Sequence, residues 1–259
     1  MPADPRGPRI LLSNDDGIHS PGLAVLEEIA RAMSDDVWVV APDSEQSGAA
    51  HSLTINEPLR LRTLGERRFA VHGTPTDCVM LALHHLMRGQ KKPDLLLSGI
   101  NLGANLGEDV TYSGTVAAAI EGCLLGIRSI AFSQLMKLSG PIHWDTPRIF
   151  APDIIRRLLS VDWAPGVLIN VNFPDLPPSA ITGVFSTKQG QRDPADLVID
   201  ERVDVRGVPY FWIGFRRNPF NPLEDTDFEV IDRGGITVSP LRVDLSDPGM
   251  RETIRPLFS

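Results

Sequence analysis

Ile10-Leu11-Leu12-Ser13-Asn14-Asp15-Asp16-Gly17 is a short apolar run that stops abruptly at two adjacent carboxylates. An apolar run of this length bounded by Asn, Asp and Gly reads as a buried strand ending in a turn. Neighbouring aspartates repel each other, more strongly in a partly desolvated cleft than at the surface, so a cation is expected between or beyond them. A hard divalent metal held through oxygens meets that need. Asn-Asp-Asp-Gly is equally good chemistry for a solvated turn, and this stretch alone leaves both readings standing.

Outward from that strand, Ser20-Pro21-Gly22 supplies an N-cap with proline at the first helical position, and Leu23, Leu26, Ile29, Ala30 and Met33 recur at helical spacing. Val37 to Ala41 follows as a second buried strand, completing a βαβ unit with a right-handed crossover. The grammar repeats. Thr74-Pro75-Thr76-Asp77 caps a helix, Pro93 to Ser98 is a strand, Ser113-Gly114-Thr115 opens a helix, and Ser129 to Phe132 returns to the sheet. Thr146-Pro147 reads as the cap of a helix running to about Leu159, and Val167 to Val171 as one more strand. Such alternation specifies a three-layer, Rossmann-like α/β fold with a mostly parallel sheet.

Past about Phe185 the pattern changes. Gly190 to Pro194 is loop-like, Val198–Val205 and Val208–Phe215 flank Arg206-Gly207 as a β-hairpin, and Arg216 to Arg233 reads as an extended arm. Ile236 to Leu241 is a final strand, with a short helix near Met250 to Leu257. The expected organisation is one domain over residues 1–259: a core of about 8–185, a hairpin and arm of about 186–235, and a return over 236–259. Exposed Tyr210, Phe211 and Trp212 suit packing on the chain's own core or on a partner chain.

With a formal net charge of -8, the chain lacks the basic face that gripping a nucleic acid polymer requires. No apolar stretch approaches the roughly 20 residues of a membrane span, and Met1 to Arg9 carries no apolar signal core, so the expected location is cytoplasmic. Cys78 and Cys123 fall in helical patterns as buried thiols and form no CxxC metal pair.

In an open parallel sheet the loops beyond the strands' carboxyl ends converge. Here they carry Asn14, Asp15 and Asp16, then Asp43, Ser44, Gln46, Ser47 and Gly48, then Ser98 through Asn101 and Asn105 to Gly107. Three loops offering short oxygen donors at one rim favour the metal over the solvated turn. Hydroxyl and amide oxygens suit Mg²⁺, Mn²⁺ or Ca²⁺ and suit zinc or copper poorly. Unobstructed backbone amides over Gly99 to Gly107 and the helix start at Ser113, Gly114 and Thr115 add an anion cradle, which suggests phosphate. The glycine segment is neither a Walker A loop nor a GxGxxG fingerprint, and no phosphate lysine of the kinase type is evident, so hydrolysis fits better than ATP-driven transfer. His84 and His85 point about 100° apart on a helix and read as core or surface; His19 and His51 lie in rim loops; Asp43 and Asp77 read as turn and cap residues.

The chain resembles the SurE family of survival-protein nucleotidases. The likeness is carried by Leu12-Ser13-Asn14-Asp15-Asp16-Gly17-Ile18, by Val40-Ala41-Pro42-Asp43 with Ser47-Gly48, by Gly73-Thr74-Pro75-Thr76-Asp77-Cys78, and by Ser98-Gly99-Ile100-Asn101 through Asn105 to Tyr112-Ser113-Gly114-Thr115. The resemblance implies a phosphomonoesterase, dependent on one divalent cation per subunit (Mg²⁺ or Mn²⁺), that acts on nucleoside 5′- and in some members 3′-monophosphates, with short polyphosphate as a further substrate. By motif position it places metal ligands on Asp15, Asp16, Ser47 and Asn101, phosphate contacts on Gly48, Asn105, Ser113, Gly114 and Thr115, and catalysis on Asp15, Asp16 and Asn105. It also implies a homodimer or homotetramer built through the C-terminal hairpin and arm. Gln46 departs from the arginine that relatives often carry before the serine, which weakens that loop's pull on anions. The rival readings are a non-catalytic nucleotide or phosphate sensor and a phosphotransferase to an alcohol acceptor.

Overall fold

The computed structural model describes residues 7–137, 140–192, 197–215 and 223–258. Strand β1 (Ile10–Ser13) is buried along its whole length. Ser20 caps α1 (Pro21–Arg31), accepting the Leu23 N–H. This helix buries Leu23, Leu26 and Ile29, each contributing about 1.5–3 kcal/mol when fully withdrawn from water. Strand β2 is Val37–Pro42. An antiparallel pair then follows, β3 (Arg60–Gly65) and β4 (Arg68–His72), which the sequence reading did not anticipate. β3 is largely exposed and carries Arg60 and Arg62, so its composition lacks the apolar alternation by which strands are recognised.

Thr74 and Asp77 form a reciprocal capping box at the start of α2 (Pro75–Leu81), which satisfies two orphan amides at once. One π-helical turn, Ala82–Leu86, extends it and leaves His84 and His85 exposed, in keeping with a surface placement. There follow β5 (Leu95–Leu102), α3 (Gly114–Leu124), β6 (Arg128–Gln134), α4 (Asp145–Leu159), β7 (Val167–Phe173) and β8 (Val184–Ser186). Thr146 is not the cap of α4, because the helix begins a residue earlier with Trp144 at the cap position. The Thr146 hydroxyl is buried and donates to the Leu176 carbonyl, a tertiary bond that a local capping rule does not foresee.

β9 (Leu197–Val203) and β10 (Pro209–Phe215) form the expected hairpin as a separate two-stranded sheet. The reading of Arg216 to Arg233 as an extended arm needs correction. Asp227–Asp232 is a short helix, α5, capped by Thr226, while residues 216–222 and 193–196 lie outside the described residues. β11 (Ile236–Arg242) and α6 (Pro248–Ile254) complete the chain.

The main sheet runs β3-β4-β2-β1-β5-β6-β7-β11-β8. It is parallel from β4 to β7, while β11 lies antiparallel to β7. α1 and α4 cover one face and α2 and α3 the other, each over its own apolar cluster. β1 therefore has β2 on one side and β5 on the other, and the chain reverses direction between them. At such a reversal the loops beyond the two strands separate and leave a crevice. Gly99 sharpens this end of β5: its φ is +126° at a register shift between Ser98 and Asn101, and a Cβ there would lie 2.3 Å from the Phe132 carbonyl oxygen.

Candidate active site

The tip of β1 is the meeting point of three loops. Asp15 is almost fully buried and receives the Thr115 hydroxyl, with the Gly114 and Thr115 amides of α3 also turned toward it. A carboxylate at a helix N-terminus is favourably placed. Burial nevertheless pushes the Asp15 carboxyl up from its usual range, against the pull of those donors. Asp16 accepts the Leu102 N–H at 2.9 Å. Burial, with the charges of Asp15 and Glu45, pushes Asp16 up to about 6 despite that bond. No ion pair joins either acid to a lysine or arginine among the described residues. Two adjacent, partly desolvated and unpaired acids are the condition a dication relieves.

The loop after β2 is tied to this tip: the Gln46 N–H donates to the Asp15 carbonyl at 2.8 Å, and the Ile18 N–H to that of Pro42 at 2.8 Å. An open cleft of ≈ 540 Å³ lies alongside, within the range of small-ligand sites, and Asp16, His19, Asp43, Glu45, Ser47 and Met136 are among its walls. Ser47 is exposed and donates to Glu45 Oε1 at 2.9 Å; Gly48, at φ +75°, faces open space. Asp43, read as a turn residue, does line this cleft, with its carboxylate 3.3 Å from His72 Nδ1. Asn101 holds the Gly103 carbonyl through its amide at 2.8 Å, next to the Leu102 that meets Asp16.

Asn105 and Ser113 occupy a neighbouring segment. The Asn105 amide donates to Ser133 Oγ at 2.8 Å, its N–H to Asn172 Oδ1 at 2.8 Å, and its carbonyl accepts from Asn170 and Asn172. Ser133, Asn170 and Asn172 are fully buried on β6 and β7; sequence reasoning missed them because Asn170 sits within a run read as an apolar strand and Ser133 and Asn172 lie one residue past the ends of such runs. Ser113 caps α3 by accepting the Val116 N–H at 3.0 Å, so its hydroxyl proton remains available to an anion. His51 meets Glu121 at 3.0 Å and lines a second cavity together with Ser113.

The structure thus joins Asp15 directly to Gly114 and Thr115, and brings the Asn101 loop to Asp16 through Leu102 and the Ser47 loop to Asp15 through Gln46. Asn105 and Gly48 have no contact with either acid in these bonds. Thr115 and Gly114 serve Asp15 itself, a role the sequence reading had given wholly to phosphate. The candidate donors for a cation are two carboxylates, a hydroxyl and an amide oxygen. Carboxylate, hydroxyl and amide donors make an all-oxygen set, which suits a hard cation; among the described residues no group of three or more His, Cys, Asp or Glu offers a rival metal site.

Carboxylates at the sheet's reversal point, an all-oxygen donor set and a helix start beside them define a doubly wound α/β protein of the kind that binds small anionic ligands at its strand ends. Comparison with known proteins makes this specific. A family model described as survival protein SurE matches residues 10–196, and the chain belongs to that family. It is 57% identical over 244 residues, 94% of this chain and 93% of the relative, to the 5′-nucleotidase SurE of Paramagnetospirillum magneticum. It is 54% identical to that of Caulobacter vibrioides, over 96% of this chain and 94% of the relative. The crystal structure of the SurE protein from Aquifex aeolicus superposes with a TM-score of 0.85 at 39% identity, covering 96% of this chain and 99% of that one.

Proposed function

We infer that this protein is a divalent-metal-dependent 5′-nucleotidase, releasing nucleoside and phosphate from nucleoside 5′-monophosphates. The observation that carries the reading is the pair of unpaired, burial-raised carboxylates at the β1 tip, one of them set against the start of α3, in a chain more than half identical to curated 5′-nucleotidases.

Asp15 and Asp16 would hold the cation, with Ser47 and Asn101 completing its protein oxygens and Mg²⁺ or Mn²⁺ as the ion. When bound, such a dication polarises a phosphoryl oxygen and acidifies water. Thr115 aims Asp15, and its hydroxyl and the amides beside it oppose the rise that burial causes. Asp16, with Oδ2 taken by the Leu102 N–H, keeps Oδ1 for the cation or for orienting the attacking water. Ser113 and Asn105, with the Gly48 amide, would bind the phosphoryl oxygens and stabilise their charge during in-line attack. Activity on 3′-monophosphates and short polyphosphate belongs to the same proposal.

The hairpin supports assembly as a homodimer or homotetramer. A two-stranded sheet is marginal by itself, and this one leaves Ile199, Phe211, Trp212 and Ile213 exposed. No helix among the described residues is long and apolar enough to cross a membrane.

Phosphate release from AMP with Mn²⁺, lost on adding EDTA and lost in Asp15→Asn with an unchanged circular dichroism spectrum, is the expected result. Full metal-dependent turnover by Asp15→Asn overturns the assignment. Binding of AMP without release would identify a sensor, and a phosphorylated product formed on adding an alcohol would identify a transferase.

A further inference from the structure

We propose that Asp227 and Arg192, neither of which lines the cleft, are positioning residues that set the phosphate-binding segment 105–113. This rests on the reading above, in which Asn105 and Ser113 contact phosphate.

That segment runs from Asn105 through a single 3₁₀ turn, Gly107–Thr111, to the cap of α3, and it is gripped at three points. β6 and β7 hold Asn105, as described. The second grip is Asp227, 1% exposed, whose Oδ2 accepts the Gly107 N–H at 2.9 Å while Oδ1 accepts those of Gly190 at 2.8 Å and Phe228 at 2.9 Å. The third is Arg192. Its guanidinium pairs with both carboxylate oxygens of Asp109, its N–H donates to Glu108 Oε2 at 3.1 Å, and it lies 5.0 Å from the Phe228 ring centroid. The Asp109 carbonyl in turn accepts the Ser113 N–H at 3.1 Å, so Arg192 reaches the proposed phosphate ligand through one residue.

The arrangement has no slack. Gly107 has φ +52°, and a Cβ there would lie 2.5 Å from Phe228 Cε2. Buried Asp227 and half-buried Arg192 are weak sources of net stability, because desolvation offsets much of what their bonds contribute. They do impose direction: a carboxylate with three N–H donors and a guanidinium on two carboxylate oxygens each permit one placement of the loop.

Asp227→Asn replaces an acceptor oxygen with an NH₂ that opposes an N–H, and so releases one of the anchored loops. The expected result is a roughly tenfold rise in the dissociation constant of inorganic phosphate, measured by calorimetry on the folded full chain, and a matching rise in KM for AMP. The midpoint for Mn²⁺ binding should stay within about twofold of wild type, since Asp15, Asp16, Ser47 and Asn101 keep their own supports. Arg192→Gln should weaken phosphate similarly, and Arg192→Lys should restore part of the loss by keeping the charge without the fork. The Arg192 pair decides the matter if Asp227→Asn does not fold. Variants that bind phosphate as the wild type does overturn the proposal, and so does parallel loss of metal and phosphate binding, which signals general unfolding. Wild-type protein that binds phosphate yet releases none from AMP counts against the nucleotidase reading alone, because the positioning claim is read from binding.

Discussion

Gly114→Ala adds one methyl group where α3 meets Asp15. An ideal Cβ at this position lies 2.8 Å from Asp15 Cβ, 3.0 Å from Asp15 Oδ2 and 3.1 Å from Pro75 Cγ. Carbon atoms in contact prefer about 3.5–4.0 Å, so the carboxylate or the helix start must retreat by about 1 Å. A misplacement of about 1 Å at a reacting centre costs on the order of 100-fold in rate. Stability responds differently. Overpacking costs about 1–3 kcal/mol, while alanine in a helix recovers about 1 kcal/mol relative to glycine. The net loss of about 0–2 kcal/mol corresponds to a fall in Tm of at most about 8 °C for a chain of this size. The assay pairs kcat/KM for AMP with Mn²⁺ against thermal unfolding followed by circular dichroism. A folded Gly114→Ala protein with wild-type kcat/KM would refute the claim that this contact holds Asp15 in its working position.

Mn²⁺ affinity should fall about tenfold from pH 7 to pH 5, because Asp16 titrates near 6 in the metal-free protein and its proton competes with the cation; calorimetry giving equal affinity at both pH values contradicts this. Gly99→Ala should destabilise the protein by more than about 3 kcal/mol, since it combines a φ of +126° with a methyl 2.3 Å from a backbone oxygen, and a denaturant midpoint close to wild type would count against it. Burial would raise the Asp36 carboxyl, but the hydrogen bond and charge of Arg9, with Trp38 and Arg67, hold it below its usual range. Its folded value lies under its unfolded value, so this contribution to stability is present above the unfolded value and disappears as pH falls through the folded one. Asp36→Asn should therefore lower Tm at pH 7 and do so much less near pH 3; an equal loss at both would show that charge is not the cause.

What the sequence disclosed followed its range of interaction. Local features were legible: the buried strand that ends in Asp15 and Asp16, the Ser20 and Thr74 caps, the Ser113 helix start and the hairpin turn at Arg206-Gly207 each depend on neighbours a few residues away. Long-range polar bonds were not. Asn170 and Asn172 support Asn105 from 65 and 67 residues away, and Asp227 reaches Gly107 across 120; each occurs in a stretch whose local pattern indicates only a strand or an arm. β3 escaped for another reason, since its pairing with β4 comes from backbone bonds beneath a polar, exposed surface. Thr146 shows a hydroxyl in capping sequence taken by a distant carbonyl.

The margins of the nine-stranded sheet bear on how copies of this chain can meet. One border strand is β3, studded with arginine, and the other is β8, only three residues long. Neither offers a neighbour a long flat ladder to extend, which discourages runaway stacking of sheets. The detached ribbon of β9 and β10 differs from both borders in leaving Phe211, Trp212 and Ile213 exposed.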